Sequence, residues 1–272
     1  MSDRTFHLSL TTSVLDLKAR EVQLHFSPST SSARGLDYYG TSLAANGSSA
    51  DFFDFLPLDG GQLLAAIGNV SGQETASTII VSGLRAYLRT IAAEYQDDLR
   101  AVVRQLNRNL WRISPDDIYS TLFLARIDPG EHRLEYVSAA HETALLMREN
   151  GRRILRLEST GAVLGLSERS AYQKRTVAIE HGDVLLVFTD GVAEATDQDG
   201  HQFGAERLTE VVREHRHSPA AELARSVLDS LDSFAGHVRQ DDDRTLIAAR
   251  LRGSQHAEVV KEECAALAFA AA

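Results

Sequence analysis

Hydrophobic and polar positions alternate in two rhythms along this chain, and the rhythms come in blocks. "LDYYGTSLAA", "ADFFDFLPL" and "GQLLAAIGN" are short apolar-rich runs that predict three strands. The turn signals Asn46-Gly47 and Asp59-Gly60-Gly61 separate them. Ile80, Leu84, Tyr87, Leu88 and Ile91 then recur on one helical face, and Leu99, Val102, Val103, Leu106 and Leu110 mark a second helix. Strands return in "YSTLFLARID", "RLEYVSAA" and "TALLMRE", punctuated by Asp128-Pro129-Gly130 and Asn150-Gly151, and continue in "YQKRTVAIE" and "DVLLVFTD". Helical spacing resumes over 204–215 (Leu208, Val211, Val212, His215) and 220–234 (Leu223, Val227, Leu231, Phe234). "RTLIAARL" is the last strand. Ahead of all this, "SVLDLKAREVQLHF" predicts a short amphipathic helix within residues 1–26, and "SPSTSSARG" (Ser27 to Gly35) reads as a loop. Residues 253–272 read as a tail, helical or frayed.

Grouped strands and helices, unlike strict alternation, predict an α+β protein with antiparallel sheets flanked by helices. Composition narrows the class. The 272 residues are 43% hydrophobic and 24% charged, enough for a substantial core. A net charge of −10 without a basic run argues against nucleic acid or an anionic membrane as the main partner. The lone Cys264 excludes an intrachain disulfide and a Cys-based zinc site. No apolar run approaches the roughly 20 residues of a membrane span, and "MSDRTFHLSL" lacks the design of a signal peptide. The expectation is a cytoplasmic protein.

Candidate chemistry sits at element ends. Acidic groups occur as Asp51 and Asp54 in "SSADFFDF", as Asp190 in "VFTDGVAEAT", and as Asp241-Asp242-Asp243 in "RQDDDRTLI". Carboxylates at the ends of buried strands can converge on a hard cation such as Mg²⁺ or Mn²⁺. Each also has a plainer reading. Asp190-Gly191 is a common turn dipeptide, the Asp triplet a solvated loop, and His141 a loop residue. Asp51 and Asp54, three apart in a strand, face opposite sides, so at most one serves a given site.

In this order and spacing the segments resemble the SpoIIE/RsbU-type serine phosphatases, a bacterial branch of the metal-dependent PPM phosphatase superfamily. The resemblance covers roughly residues 12–252. "SSADFFDF" and "GNVSGQ" look like the opening Gly-Gly-Asp-x-x-Asp and Gly-Asp-Val-Ser-Gly motifs, "SAAH" like Ala-Gly-His, "FTDGVAEAT" like the Thr-Asp-Gly segment, and "DDDRTLI" like Asp-Asp-x-Thr-Leu. The resemblance implies an α-β-β-α sandwich over 27–252, a linker-type helix in 1–26, and a two-metal Mn²⁺ or Mg²⁺ site that hydrolyses phosphoserine or phosphothreonine. It implies a phosphorylated STAS-domain anti-anti-sigma factor as partner. Regulation would come from such a partner or from a homodimer through the N-terminal helix. Carried over by position, the site residues are Asp51, Asn69, Val70 (through its backbone carbonyl), Asp190, Asp242 and Asp243, with Asp51, Asp190 and Asp242 as the catalytic carboxylates.

Here the chain departs from the pattern. Asn69 stands where the family's metal-bridging aspartate stands. A neutral amide cannot bridge two dications as a carboxylate does, and loss of central charge leaves their repulsion less offset. The family's glycines are also replaced, by Ser49-Ala50 and Ala140, and Glu74 follows the Ser-Gly turn. Two functions stand side by side: a metal-dependent serine/threonine phosphatase, or a pseudophosphatase that binds its partner without turning it over.

Overall fold

The computed structural model describes residues 30–33, 35–45, 49–72, 74–95, 97–114 and 118–252. The predicted N-terminal helix, the Asn46-Gly47 turn and the tail lie outside them.

Four layers stack as helices, sheet, sheet, helices. Strands β1 (Thr30–Ala33), β2 (Leu36–Leu43), β7 (Ala144–Arg148), β8 (Arg153–Leu157), β10 (Val184–Phe188) and β11 (Arg244–Leu251) form one sheet in the order β1-β2-β11-β10-β7-β8. Strands β3 (Asp51–Pro57), β4 (Leu63–Val70), β5 (Ser120–Asp128), β6 (Arg133–Ala139) and β9 (Arg175–Ala178) form the other in the order β3-β4-β5-β6-β9. Every pairing is antiparallel.

Strand periodicity divides the core in two directions. Phe53, Phe55, Ile67 and Phe123 point inward and meet Tyr38, Leu146, Val187 and Ile247 between the sheets. Phe52, Leu64, Leu122 and Leu124 point outward under α1 (Glu74–Glu94) and α2 (Leu99–Ile113), against Leu84, Leu88, Val103 and Leu110. Asp98 caps α2 by accepting from the Arg100 and Ala101 amides. On the far face, Leu186, Leu246 and Ala248 pack against Leu208, Leu223 and Val227 of α4 (Gly204–Glu214) and α5 (Ala220–Ala235). No helix among the described residues is long and apolar enough to cross a membrane.

Three local expectations change, and one strand, β8, was not read from the sequence. Part of the segment read as a loop, 27–35, is strand β1, paired to β2 from Thr30↔Tyr39 to Ala33↔Leu36. Strand β8 is an edge strand with exposed and half-buried residues, which dilutes its apolar signature. "YQKRTVAIE" narrows to Arg175–Ala178, and Asp190 opens a short helix, α3 (Asp190–Ala193), instead of ending a strand.

Candidate metal centre

At one end of the cleft between the sheets, the inward row of β3 and β4 turns polar. Asp51 continues the face of Phe53 and Phe55, and Asn69 continues the face of Ile67. The two are direct cross-strand partners, and Asn69 also pairs with Thr121 on β5. The facing sheet supplies Thr189, just after β10, and Thr245 on β11. These two are tied by Thr189 N–H to the Thr245 carbonyl (2.9 Å) and Thr245 N–H to Thr189 Oγ1 (3.1 Å).

Asp51 sits where the sheets meet, 3% exposed. Its Oδ2 accepts from Thr189 Oγ1 at 2.7 Å and its Oδ1 from the Asn69 side-chain amide at 2.6 Å. Burial pushes its carboxyl up to about 7, against the pull of these hydrogen bonds. Asp54 faces the other way, buried under α1, with both oxygens held by Arg89 at 2.6 and 2.7 Å.

Asp190 and Asp242 form the second half. The Asp190 Oδ1 accepts from the Gly191 amide at 2.9 Å. Gly191 is required by close approach, because a Cβ there would lie 2.2 Å from the Asp243 carbonyl oxygen. That contact brings the start of α3 against the loop before β11. Burial raises the Asp242 carboxyl, and the charges acting on it, Asp190, Asp243 and Asp241, raise it further. Among the described residues, no hydrogen bond reaches its carboxylate. An edge where neighbouring carboxylates raise the Asp242 carboxyl favours a cation.

The remaining candidates take supporting positions. Asp243 accepts from the Ala45 and Ala50 amides at 2.9 and 2.8 Å, so its carboxylate ties Ala45, just after β2, to Ala50, just before β3. The Val70 side chain is buried under the outer helices, which leaves any part in the site to its backbone. His141 is a loop residue, as its plainer reading held. Its Nδ1 lies 3.1 Å from Thr121 Oγ1, which accepts from the Asn69 backbone amide at 3.2 Å. Burial pushes His141 down to about 3, so its ring is neutral.

Sequence reasoning passed over Thr189, Thr121, Glu142 and Glu194. Burial and the charges of Asp190 and Glu194 raise the Glu142 carboxyl, which adds both glutamates to the acidic set. Glu194 was legible, one turn after Asp190 at the C-cap of α3.

Two antiparallel sheets packed face to face between helices are the fold of the PP2C/PPM protein phosphatases. The family described as Stage II sporulation protein E (SpoIIE) matches residues 59–252, and the chain belongs to that family. It is 28% identical over 218 residues to the phosphoserine phosphatase RsbU of Bacillus subtilis, covering 79% of this chain and 63% of RsbU. It spans only 40% and 49% of two further curated relatives. The SiaA-PP2C domain of Pseudomonas aeruginosa superposes with a TM-score of 0.74 at 16% identity, covering 92% of this chain and 99% of that domain. RsbX, solved in complex with magnesium, superposes with a TM-score of 0.61 at 15% identity, covering 82% of this chain and 98% of RsbX.

Proposed function

We propose that the chain is a divalent-metal-dependent protein phosphatase that removes phosphate from serine or threonine of a phosphorylated STAS-type partner in a partner-switching pathway. The observation that carries this is the Asp242 side chain set against Gly191, next to Asp190, with the charges of Asp190, Asp243 and Asp241 acting on it. This donor set fits one Mg²⁺ or Mn²⁺. Such an ion, when bound, lowers the pKa of a coordinated water and offsets charge on the phosphoryl oxygens.

The chain's own residues supply the frame. Gly191 lets α3 and the Asp242-Asp243 loop touch, and Asp243 fixes the neighbouring segment. Thr189 and Asn69 hold Asp51 in one orientation. Beside Asp242 a groove of about 240 Å³, lined by Gln240, Arg244, Asp232 and Ala45 among others, gives a phosphorylated segment room to lie against the carboxylates. The RsbU likeness supports phosphoserine as the reacting group.

One observation favours the binding module instead. The Asn69 amide already satisfies Asp51, which stabilises the cleft without metal. Incubation with a ³²P-labelled phosphoserine STAS domain and Mn²⁺ separates the two readings. A phosphatase releases labelled phosphate, and Asp190→Asn abolishes the release. A binding module retains the labelled partner and releases nothing.

A further inference from the structure

We infer that this sheet end is built for one divalent ion, held on the Asp190 and Asp242 side, and that the Asn69 amide closes the second position by engaging Asp51. The inference rests on the metal-dependent reading above and concerns how many ions that site takes.

The centre falls into two halves with different surroundings. In the first, both oxygens of Asp51 are engaged by protons, Oδ1 from Asn69 Nδ2 and Oδ2 from Thr189 Oγ1. A cation approaching Asp51 therefore meets the positive edge of an amide. Asn69 has little freedom to swing away. Its backbone is paired on both sides, to Asp51 and to Thr121, and its N–H donates to Thr121 Oγ1. On either side of it, Gly68 leaves no room for a Cβ and Val70 is fully buried. With Asp51 ionised, turning the amide over would set its oxygen where Nδ2 now lies, 2.6 Å from the Asp51 oxygen, an arrangement that repels.

In the second half, the Asp242 side chain lies against Gly191, so that a Cβ there would be 3.1 Å from Asp242 Cβ, and this sets Asp242 beside Asp190, with Glu142 near Asp190. No amide donor from Asn69 reaches this half. Repulsion between two dications is about four times that between unit charges at the same distance, and carboxylates between them must offset it. Asn69, a neutral amide, contributes none. Asp243 faces both Asp51 and Asp242, but its oxygens are taken by the Ala45 and Ala50 amides. One ion thus has the Asp190 and Asp242 carboxylates to hold it, and a second has neither a free Asp51 nor a bridging anion.

Calorimetric titration of the metal-stripped full chain with MnCl₂, with low-temperature EPR on the same samples, tests this. The wild type should bind one Mn²⁺ per chain with an isolated-ion spectrum. Asn69→Asp should bind two, with the signature of a spin-coupled pair. Asp190→Asn should weaken the wild-type site at least ~10-fold, the lower bound seen even for losing a group behind a ligand. Asp51→Asn should alter it much less. Two ions in the wild type, no ion at all, or an Asp51→Asn effect equal to that of Asp190→Asn would each overturn the inference. Should Asn69→Asp fail to fold, the Asp190 and Asp51 variants, which keep Asn69, decide it. Turnover of p-nitrophenyl phosphate is read separately. One bound ion without hydrolysis upholds the one-ion site and removes the phosphatase reading, whereas hydrolysis with two bound ions does the reverse.

Discussion

Asp51 and Asp54 are three residues apart on one strand and have opposite fates. Asp54 lies under α1, fully buried, and is held by Arg89 with Arg85 4.0 Å away. Removing its carboxylate takes a counter-charge from the buried Arg85, while Arg89, 42% exposed, can be hydrated instead, so Asp54→Ala should destabilise the fold by about 1–3 kcal/mol in urea unfolding. Asp51 is buried where the sheets meet, bonded to the uncharged Thr189 and Asn69. Its carboxyl, near 7 when folded, lies above the unfolded value of 3.8, so the folded state keeps a proton that the unfolded chain has lost. Metal-free stability from this group is therefore present below pH ~4 and is lost as pH rises towards ~7. Asp51→Asn should flatten that slope and make the metal-free protein the more stable of the two at pH 8. Ala140 shows a smaller strain. Its φ is +48°, a region disfavoured for residues with a Cβ. Ala140→Gly should raise stability by roughly 0.5–1 kcal/mol, read from the thermal or urea midpoint. The opposite facing of Asp51 and Asp54 was legible from strand periodicity alone. The Asn69–Asp51 hydrogen bond was not, because it depends on the register between two strands, which a single sequence does not state.

Among the elements, the interior strands and the helices were the legible ones. Leu99, Val102, Val103, Leu106 and Leu110 are all buried on one face of α2, as their spacing predicts. Edge strands escaped for a physical reason. β1 is built from Thr30, Ser31, Ser32 and Ala33, and β8 exposes Arg153, so neither carries a strong apolar signal, and each is recruited by a neighbour. The junction of α3 with the loop before β11 was half legible. Asp-Gly looked like a turn, yet Gly191 serves the contact with Asp243. Gly191→Ala must push that backbone away. The expected result is a loss of about 1–3 kcal/mol, typical of overpacking, with weakened Mn²⁺ binding by calorimetry. Unchanged metal affinity would mean that this contact does not position Asp242.

At the scale of the whole molecule, the grouped order of strands and helices dictated the sandwich. Each sheet needs one apolar face for the other sheet and one for its helices, and the three core clusters meet that need. The cleft end is where the inward rows run out of apolar residues, and Asp51, Asn69, Thr189 and Thr245 gather there. Asp51, Asp190 and Asp242 stood out in sequence because they flank element ends, whereas Glu142 and Glu194 did not. Their division into a clasped half at Asp51 and an open half at Asp190 and Asp242 required the packed molecule. The most direct test of a functioning metal centre is a Mn²⁺ titration of the purified chain, followed by calorimetry and by p-nitrophenyl phosphate hydrolysis in the same samples. Saturable binding with turnover that tracks occupancy, both lost in Asp190→Asn, is the predicted result. Absence of binding and turnover, or hydrolysis that persists in excess EDTA, would contradict it.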